Sequence, residues 1–330
     1  MTLRNDQYDL IMREYSRRQN AGHSILEERR AETYALIPRL SGIDREISGL
    51  FKDQIRQKLL SDIPPDTAAL QAKTRALEEE RTALLVSNGF PADYLEVPCV
   101  CPLCHDTGYM EDGRKCRCFR RLEIDLLYRQ DELNEILSKE NFDTFSFEWY
   151  SDTIKDEATG RTSLDLAKSA YNASREFAEH FDDDFSSLFF FGDTGVGKTF
   201  LSHCIAAELL GTMHSVLYFS AYELFDRLAA GTFSDAQDSI SDNIIADCDL
   251  LIIDDLGTEL TNAFVSSQLF LCVDQRLKRR KPTVISTNLS LKNFSDTYSE
   301  RTFSRIASAY RMCKLTGKDI RIQKKFNGGN

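Results

Sequence analysis

Apolar residues recur along this chain at two different spacings, and the change from one to the other divides it. Over residues 1–95 they fall at helical intervals, as at Ile43, Ile47, Leu50, Ile55 and Leu59, among many Glu, Arg and Lys, which is the signature of amphipathic helices. Pro64 and Pro65 interrupt the pattern, Asp66 is a candidate N-cap, and a further helix runs from there to Asn88-Gly89. The expectation is a helical hairpin. Its apolar side can pack on itself or dock a partner helix, and the sequence favours neither. Residues 119–140 are helical again and are followed by NFDTFSFEWY, an aromatic cluster holding the single Trp149, which reads as core or interdomain packing.

From residue 188 onward, short apolar runs at 188–191, 216–219 and 250–253, and the β-branched stretch TVIS at 283–286, alternate with helical stretches. Runs of that length bounded by glycine or polar residues predict strands covered on both faces, the arrangement of a parallel α/β sheet. A final short strand is expected in MCKLTGKDIRI, carrying Arg321. The divisions that follow are 1–95 helical, 96–122 a cysteine module, 123–160 a helical and aromatic linker, and 161–330 the α/β domain.

The first α/β strand breaks into GDTGVGKT, followed by a helical pattern that stops at Gly211, read as a C′ residue. Strand, glycine loop and helix in that order give G-x-x-x-x-G-K-[ST] its structural context. Gly192, Gly195 and Gly197 let backbone N–H groups approach phosphate oxygens without a Cβ in the way. Lys198 reaches the β/γ-phosphates, and the Thr199 hydroxyl ligates Mg²⁺. The later run LLIIDDLG ends in two acids, of which Asp254 suits the magnesium-holding position and Asp255 the orientation of an attacking water. Asn288, at the tip of the next strand, is placed to hydrogen-bond the γ-phosphate or that water. Arg301 and Arg305 lie four apart on one helix face, either as solvated charges or as arginine-finger candidates.

Composition narrows the class. At 330 residues and 42 % hydrophobic content the chain has room for about two domains and a sizeable core. No apolar run approaches the roughly 18 residues of a membrane span, and no signal-peptide core is present, so a cytoplasmic location without membrane contact is expected. The net charge of −11 argues against a protein that coats nucleic acid, yet Arg276 to Asn330 holds 14 basic residues against 3 acidic ones. That segment is either a footprint for DNA or RNA or a solvated basic face. Five of nine cysteines crowd into residues 99–118. Cys101-x-x-Cys104 and Cys116-x-Cys118, joined by a short hairpin, supply four thiolates for a closed, structural Zn²⁺ site, with Cys99 and His105 as further candidates.

The series GDTGVGKT, LLIIDDLG, ISTN, ERTFSRI and GKDIR resembles the AAA+ ATPase module of the DnaC/IstB family, and CPLCHDTGY…CRC followed by NFDTFSFEWYSD resembles its DnaC-like loader branch. The resemblance covers roughly residues 97–325. It implies an α/β AAA+ P-loop NTPase in which the sensor strand lies between the P-loop and Walker B strands, preceded by a helical N-terminal region and a small four-cysteine zinc module. It implies ATP, Mg²⁺ and Zn²⁺ as cofactors. Nucleotide contact falls to Gly192, Asp193, Thr194, Gly195, Val196, Gly197, Lys198, Thr199, Phe200 and Asp254, with Asp255 as the second Walker B acid and Asn288 as sensor 1. Arg305 becomes the finger acting on a neighbouring subunit's ATP, Arg301 its support, and Arg321 a sensor 2 candidate. The implied function is an ATPase that loads a hexameric replicative helicase onto single-stranded DNA, as a homo-oligomer joined through its ATP sites. A transposition helper and a nucleotide-sensing adaptor with little hydrolysis are the rival readings. Two departures stand out: Asp255 replaces the usual Glu, which implies slow hydrolysis, and the nine residues after Arg321 leave no room for a helical lid.

Overall fold

The computed structural model describes residues 3, 5–60, 67–128, 131–233 and 242–327. It divides into two compact units, residues 9–108 and residues 1–8 with 109–330.

The first unit is built on α1 (Asn5–Leu36), α2 (Pro38–Leu60) and α3 (Thr67–Ser87). The expected hairpin is α2 against α3, but a break at Ile37 adds a long first helix, because Pro38 opens α2 where its missing N–H costs nothing. Leu26, Ile37, Leu40, Leu85 and Leu95 form the shared core. The apolar stripe on α2 fades along its length. Ile43 is buried, Ile47 and Leu50 are half-buried, and Ile55 is exposed. The end of α3 falls where the sequence placed it: Gly89 has φ +84° and Phe90 N–H donates to Leu85 O at 3.0 Å, a left-handed helix stop. Pro64, Pro65 and the Asp66 cap lie outside the described residues.

The second unit continues with α4 (Arg117–Tyr128), α5 (Asp131–Lys139), a 3-10 turn (Phe147–Trp149) and α6 (Ser163–Glu179). Then come β1 (Leu188–Gly192), α7 (Lys198–Gly211), β2 (Val216–Ser220), α8 (Ala221–Phe233), α9 (Asp242–Asp247), β3 (Leu250–Leu256) and α10 (Ala263–Lys278). It closes with β4 (Thr283–Thr287), α11 (Leu291–Tyr298), α12 (Glu300–Ala309), β5 (Arg311–Leu315) and α13 (Ile320–Asn327). The five strands are parallel in the order β2-β3-β4-β1-β5. The sensor strand β4 therefore lies between β1 and β3. Successive residues point to opposite faces, so Leu188 and Phe190 join the core under α6 and α7 while Phe189 joins the one under α8, α10, α11 and α12. Burial on both faces is why these strands are apolar without alternation.

Two local expectations change. Helix α7 runs through Gly211 and is capped at Thr212, and the left-handed residue is Met213 at φ +66°. Arg321 is helical: β5 ends at Leu315, Gly317 turns the chain at φ +144°, and the Asp319 carboxylate accepts the Arg321 N–H at 2.8 Å to start α13. An acidic side chain two residues before a short basic run is a helix start.

Candidate functional site

The glycine loop joins β1 to α7 at the carboxyl end of the sheet, where open parallel sheets bind ligands. Its glycines have positive φ, and each is pressed by a neighbour. A Cβ on Gly192 would lie 1.8 Å from Leu315 O, one on Gly195 2.1 Å from the Asp319 carboxyl carbon, and one on Gly197 2.5 Å from the Tyr150 hydroxyl. At Gly192 the obstruction is backbone, and at Gly195 and Gly197 it is a side-chain end, where the positive φ also disfavours any other residue. The loop is also tied from outside. Tyr150 donates to Val196 O at 2.9 Å, Ile320 N–H donates to Gly195 O at 2.9 Å, and Asp193 accepts the Thr316 hydroxyl at 2.7 Å. With β5 and α13 holding one side and the aromatic segment the other, the loop amides are preorganised for an anion at the start of α7.

Lys198 is buried and its ammonium donates to Gly192 O at 2.9 Å and to Asp193 O at 2.5 Å. Burial pushes its pKa down to about 8, a fall opposed by the carboxylates of Asp255, Asp193 and Asp254. At the tip of β3 the ladder with β4 shifts register: Ile253 pairs with Ile285 and Leu256 with Thr287, leaving Asp254 and Asp255 opposite the single residue Ser286. This is the two-against-one count of a β-bulge, which turns side chains that a regular strand would hide. Asp255 takes φ +54° and receives Asn288 Nδ2 at 3.3 Å. Burial first, and the neighbouring Asp254 second, raise its pKa above the usual carboxylate value.

One cavity of about 440 Å³ brings together Thr194, Gly195, Gly197, Lys198, Thr199, Phe200, Asp255, Asn288 and Arg321. Its remaining walls are Glu140, Thr144, Phe145, Ser146, Trp149, Tyr150, Ile320 and Lys324. The aromatic cluster read as packing is thus partly a cavity wall: Phe145 lies edge-on to Phe200 at 5.6 Å, and Lys324 sits over Trp149 at 5.7 Å. The density of aromatics before the loop was the available signal, but nothing local says which rings face the phosphate loop. Gly192, Asp193, Val196 and Asp254 stand behind the cavity as its frame. Arg301 and Arg305 are elsewhere, on α12, where Arg301 covers the Phe270 ring at 4.1 Å and half-exposed Arg305 pairs with Asp274 at 3.0 Å.

The basic segment is less cationic than its sequence. Arg276 is fully buried, and Lys278, Arg279, Lys281, Arg305, Arg311, Lys314 and Arg321 pair with Asp274, Asp247, Asp249, Asp274, Glu176, Asp156 and Asp319 respectively. Arg280, Lys292, Arg301, Lys318, Lys324 and Lys325 remain as its described basic residues outside such pairs.

Cys101 and Cys104 of the first unit and Cys116 and Cys118 of the second are all buried, and the second pair follows a chain reversal made by a bridge of Tyr109 with Lys115. Two such close pairs of thiolates have the donor chemistry of tetrahedral Zn²⁺, at about 2.3 Å per Zn–S bond. The buried Asp106 carboxylate accepts the N–H groups of Val100 at 2.7 Å and Cys101 at 3.0 Å, fixing the first cysteine turn. Cys99 stands outside the group, 3.7 Å from His105 Nδ1. Among the described residues no helix is long and apolar enough to cross a membrane.

The sheet order, the glycine loop after β1 and the acidic tip of β3 define a P-loop ATPase module of the AAA+ class. Residues 165–310 match the bacterial DnaA ATPase domain family. The replicative helicase loader DnaC of Escherichia coli K12 is 28 % identical over 148 residues, 44 % of this chain and 60 % of that protein. Among solved structures, a DnaC helicase loader aligns at 20 % identity and TM-score 0.44 over 55 % of this chain and 99 % of that one. DnaI aligns at 20 % and 0.45 over 56 % and 94 %. The chain spans about 60 % of the length of the curated relatives it matches first. Over this region the chain is similar to the DnaC-like AAA+ ATPases.

Proposed function

We propose that this protein is an ATP-dependent replication factor that loads a hexameric replicative helicase onto single-stranded DNA. The observation that carries the nucleotide part is the single cavity in which loop glycines, Lys198, Thr199, Asp255, Asn288 and Arg321 converge. The similarity to DnaC loaders carries the replication part.

In this reading the loop amides and the Lys198 ammonium hold the β/γ-phosphates, while Thr199 and Asp254 hold magnesium. Bound magnesium neutralises charge on the phosphate oxygens. Asp255, steadied by Asn288, orients the attacking water, and Arg321 reaches the phosphates from α13. The aromatic wall of Phe145, Trp149 and Tyr150 encloses the base. Arg305 acts on the ATP of an adjacent copy, with Arg301 beside it. To do so it exchanges Asp274 for phosphate, which makes turnover depend on assembly. The four-cysteine module is a structural zinc clip, and the helical N-terminal unit grips the helicase. Hydrolysis then releases the loader.

Co-purification of the full chain with the cognate replicative helicase, with and without ATP, tests the assignment. Capture that depends on ATP, with turnover raised by helicase and single-stranded DNA together, is expected. Capture of a transposase instead of the helicase would make the protein a transposition helper. Tight ATP binding with no turnover under any of these conditions would make it a nucleotide-sensing adaptor.

A further inference from the structure

The Walker B acid Asp254 is buried, and among the described residues no cation forms an ion pair with it, the Lys198 ammonium acting on it only through space. Instead, both of its oxygens are held by neutral donors from the two strands that flank β3. Tyr218, on β2, donates its hydroxyl to Oδ2 at 2.9 Å, and Ser286, on β4, donates to Oδ1. The same Ser286 oxygen accepts the Asp255 N–H at 2.9 Å. That contact exists because the bulge sets both acids against one serine. Tyr218 is fixed in turn: its ring lies 5.0 Å from that of His203, whose Nδ1 is 2.6 Å from the Glu140 carboxylate.

A buried carboxylate with no cation in direct contact is costly, and a magnesium ion relieves that cost. Each carboxylate oxygen has two lone-pair sites, so one hydrogen bond on each leaves a free site for the metal or a metal-bound water. Two donors from opposite sides also remove rotation about the Cβ–Cγ bond. Outer-shell partners of this kind orient a metal ligand and tune its affinity.

We propose that Tyr218 and Ser286 are positioning residues that lock the Asp254 carboxylate in the orientation that receives magnesium, with the His203–Glu140 pair holding Tyr218 in place. The inference deepens the nucleotide reading of the same cavity and rests on it. Ser286 precedes the sensor residue Asn288 by two and Tyr218 lies outside every motif of the series, and no sequence pattern pairs an aromatic on one strand with an acid on the next.

The test is Tyr218→Phe in the full chain, which keeps the ring and removes one oxygen. Uptake of a fluorescent ATP analogue is followed while Mg²⁺ is titrated, and again in EDTA. The Mg²⁺ concentration for half-maximal uptake should rise about tenfold, at the low end of the range for lost outer-shell partners. Metal-free uptake should stay unchanged, a combination that loss of general packing would not produce. Ser286→Ala should move the midpoint the same way and supplies a second reading where Tyr218→Phe folds poorly. Midpoints within twofold of the unmodified protein for a folded variant would overturn the clamp alone. If the unmodified protein takes up no Mg²⁺-nucleotide, the nucleotide reading and the clamp fall together.

Discussion

The depressed pKa of Lys198 has a direct consequence for nucleotide affinity. Burial brings its ammonium down from 10.5 to about 8, so at neutral pH it is charged by a margin of only about one unit. If phosphate is held only by the charged form, the apparent Kd is the intrinsic value divided by the charged fraction. With a pKa of about 8 that fraction is about 0.9 at pH 7 and about 0.1 at pH 9. ATP affinity should therefore weaken about tenfold across this window, or about 1.4 kcal/mol. Stability of the protein alone moves the other way. Because the folded value lies below the ordinary one, the unfolded chain binds more protons between about 8 and 10.5, and this group's contribution to stability rises with pH there. Calorimetric titration with ATP at pH 7, 8 and 9 measures the affinity, and AMP, which lacks the phosphates Lys198 contacts, is the control. A flat ATP profile, or an equal decline for AMP, would refute the assignment of the ammonium to the β/γ-phosphates.

Arg276 gives a prediction about the frame. Its buried guanidinium donates to the Thr283 hydroxyl at 2.9 Å and to the carbonyls of Ile245, Cys248, Asp249 and Pro282. Arg276→Met should cost about 3 kcal/mol, since it strands at least two carbonyls at about 1–3 kcal/mol each, and urea denaturation will show a change below 1 kcal/mol if the bonds are dispensable. Elemental analysis should find one zinc per chain and less in Cys116→Ser. Metal removal should unfold the cysteine module, because such sites carry roughly 10 kcal/mol of folding energy. Arg305→Ala should leave ATP binding intact and lower partner-stimulated turnover on the order of 10³-fold; full activity would remove the finger assignment.

The five-stranded parallel sheet and the phosphate loop were legible because each has a local cause. Strands such as 188–191 and 250–253 must be wholly apolar to be covered on both faces, and Gly192, Gly195 and Gly197 mark backbone at positive φ, which disfavours any other residue. The cysteine pairs 101/104 and 116/118 were visible as zinc-ligand candidates from their spacing, since their turns are short. What the sequence could not decide was which distant groups meet. The β3–β4 bulge, the Tyr218 and Ser286 contacts to Asp254, and the aromatic wall from Phe145 to Tyr150 depend on register and packing between segments far apart in the chain. The same holds for charge. The basic residues after Arg276 could be counted, but only folding set most of them against Asp156, Glu176, Asp247, Asp249, Asp274 and Asp319. Local backbone geometry is written in neighbouring residues, whereas a side chain's partner is fixed only when the whole core closes.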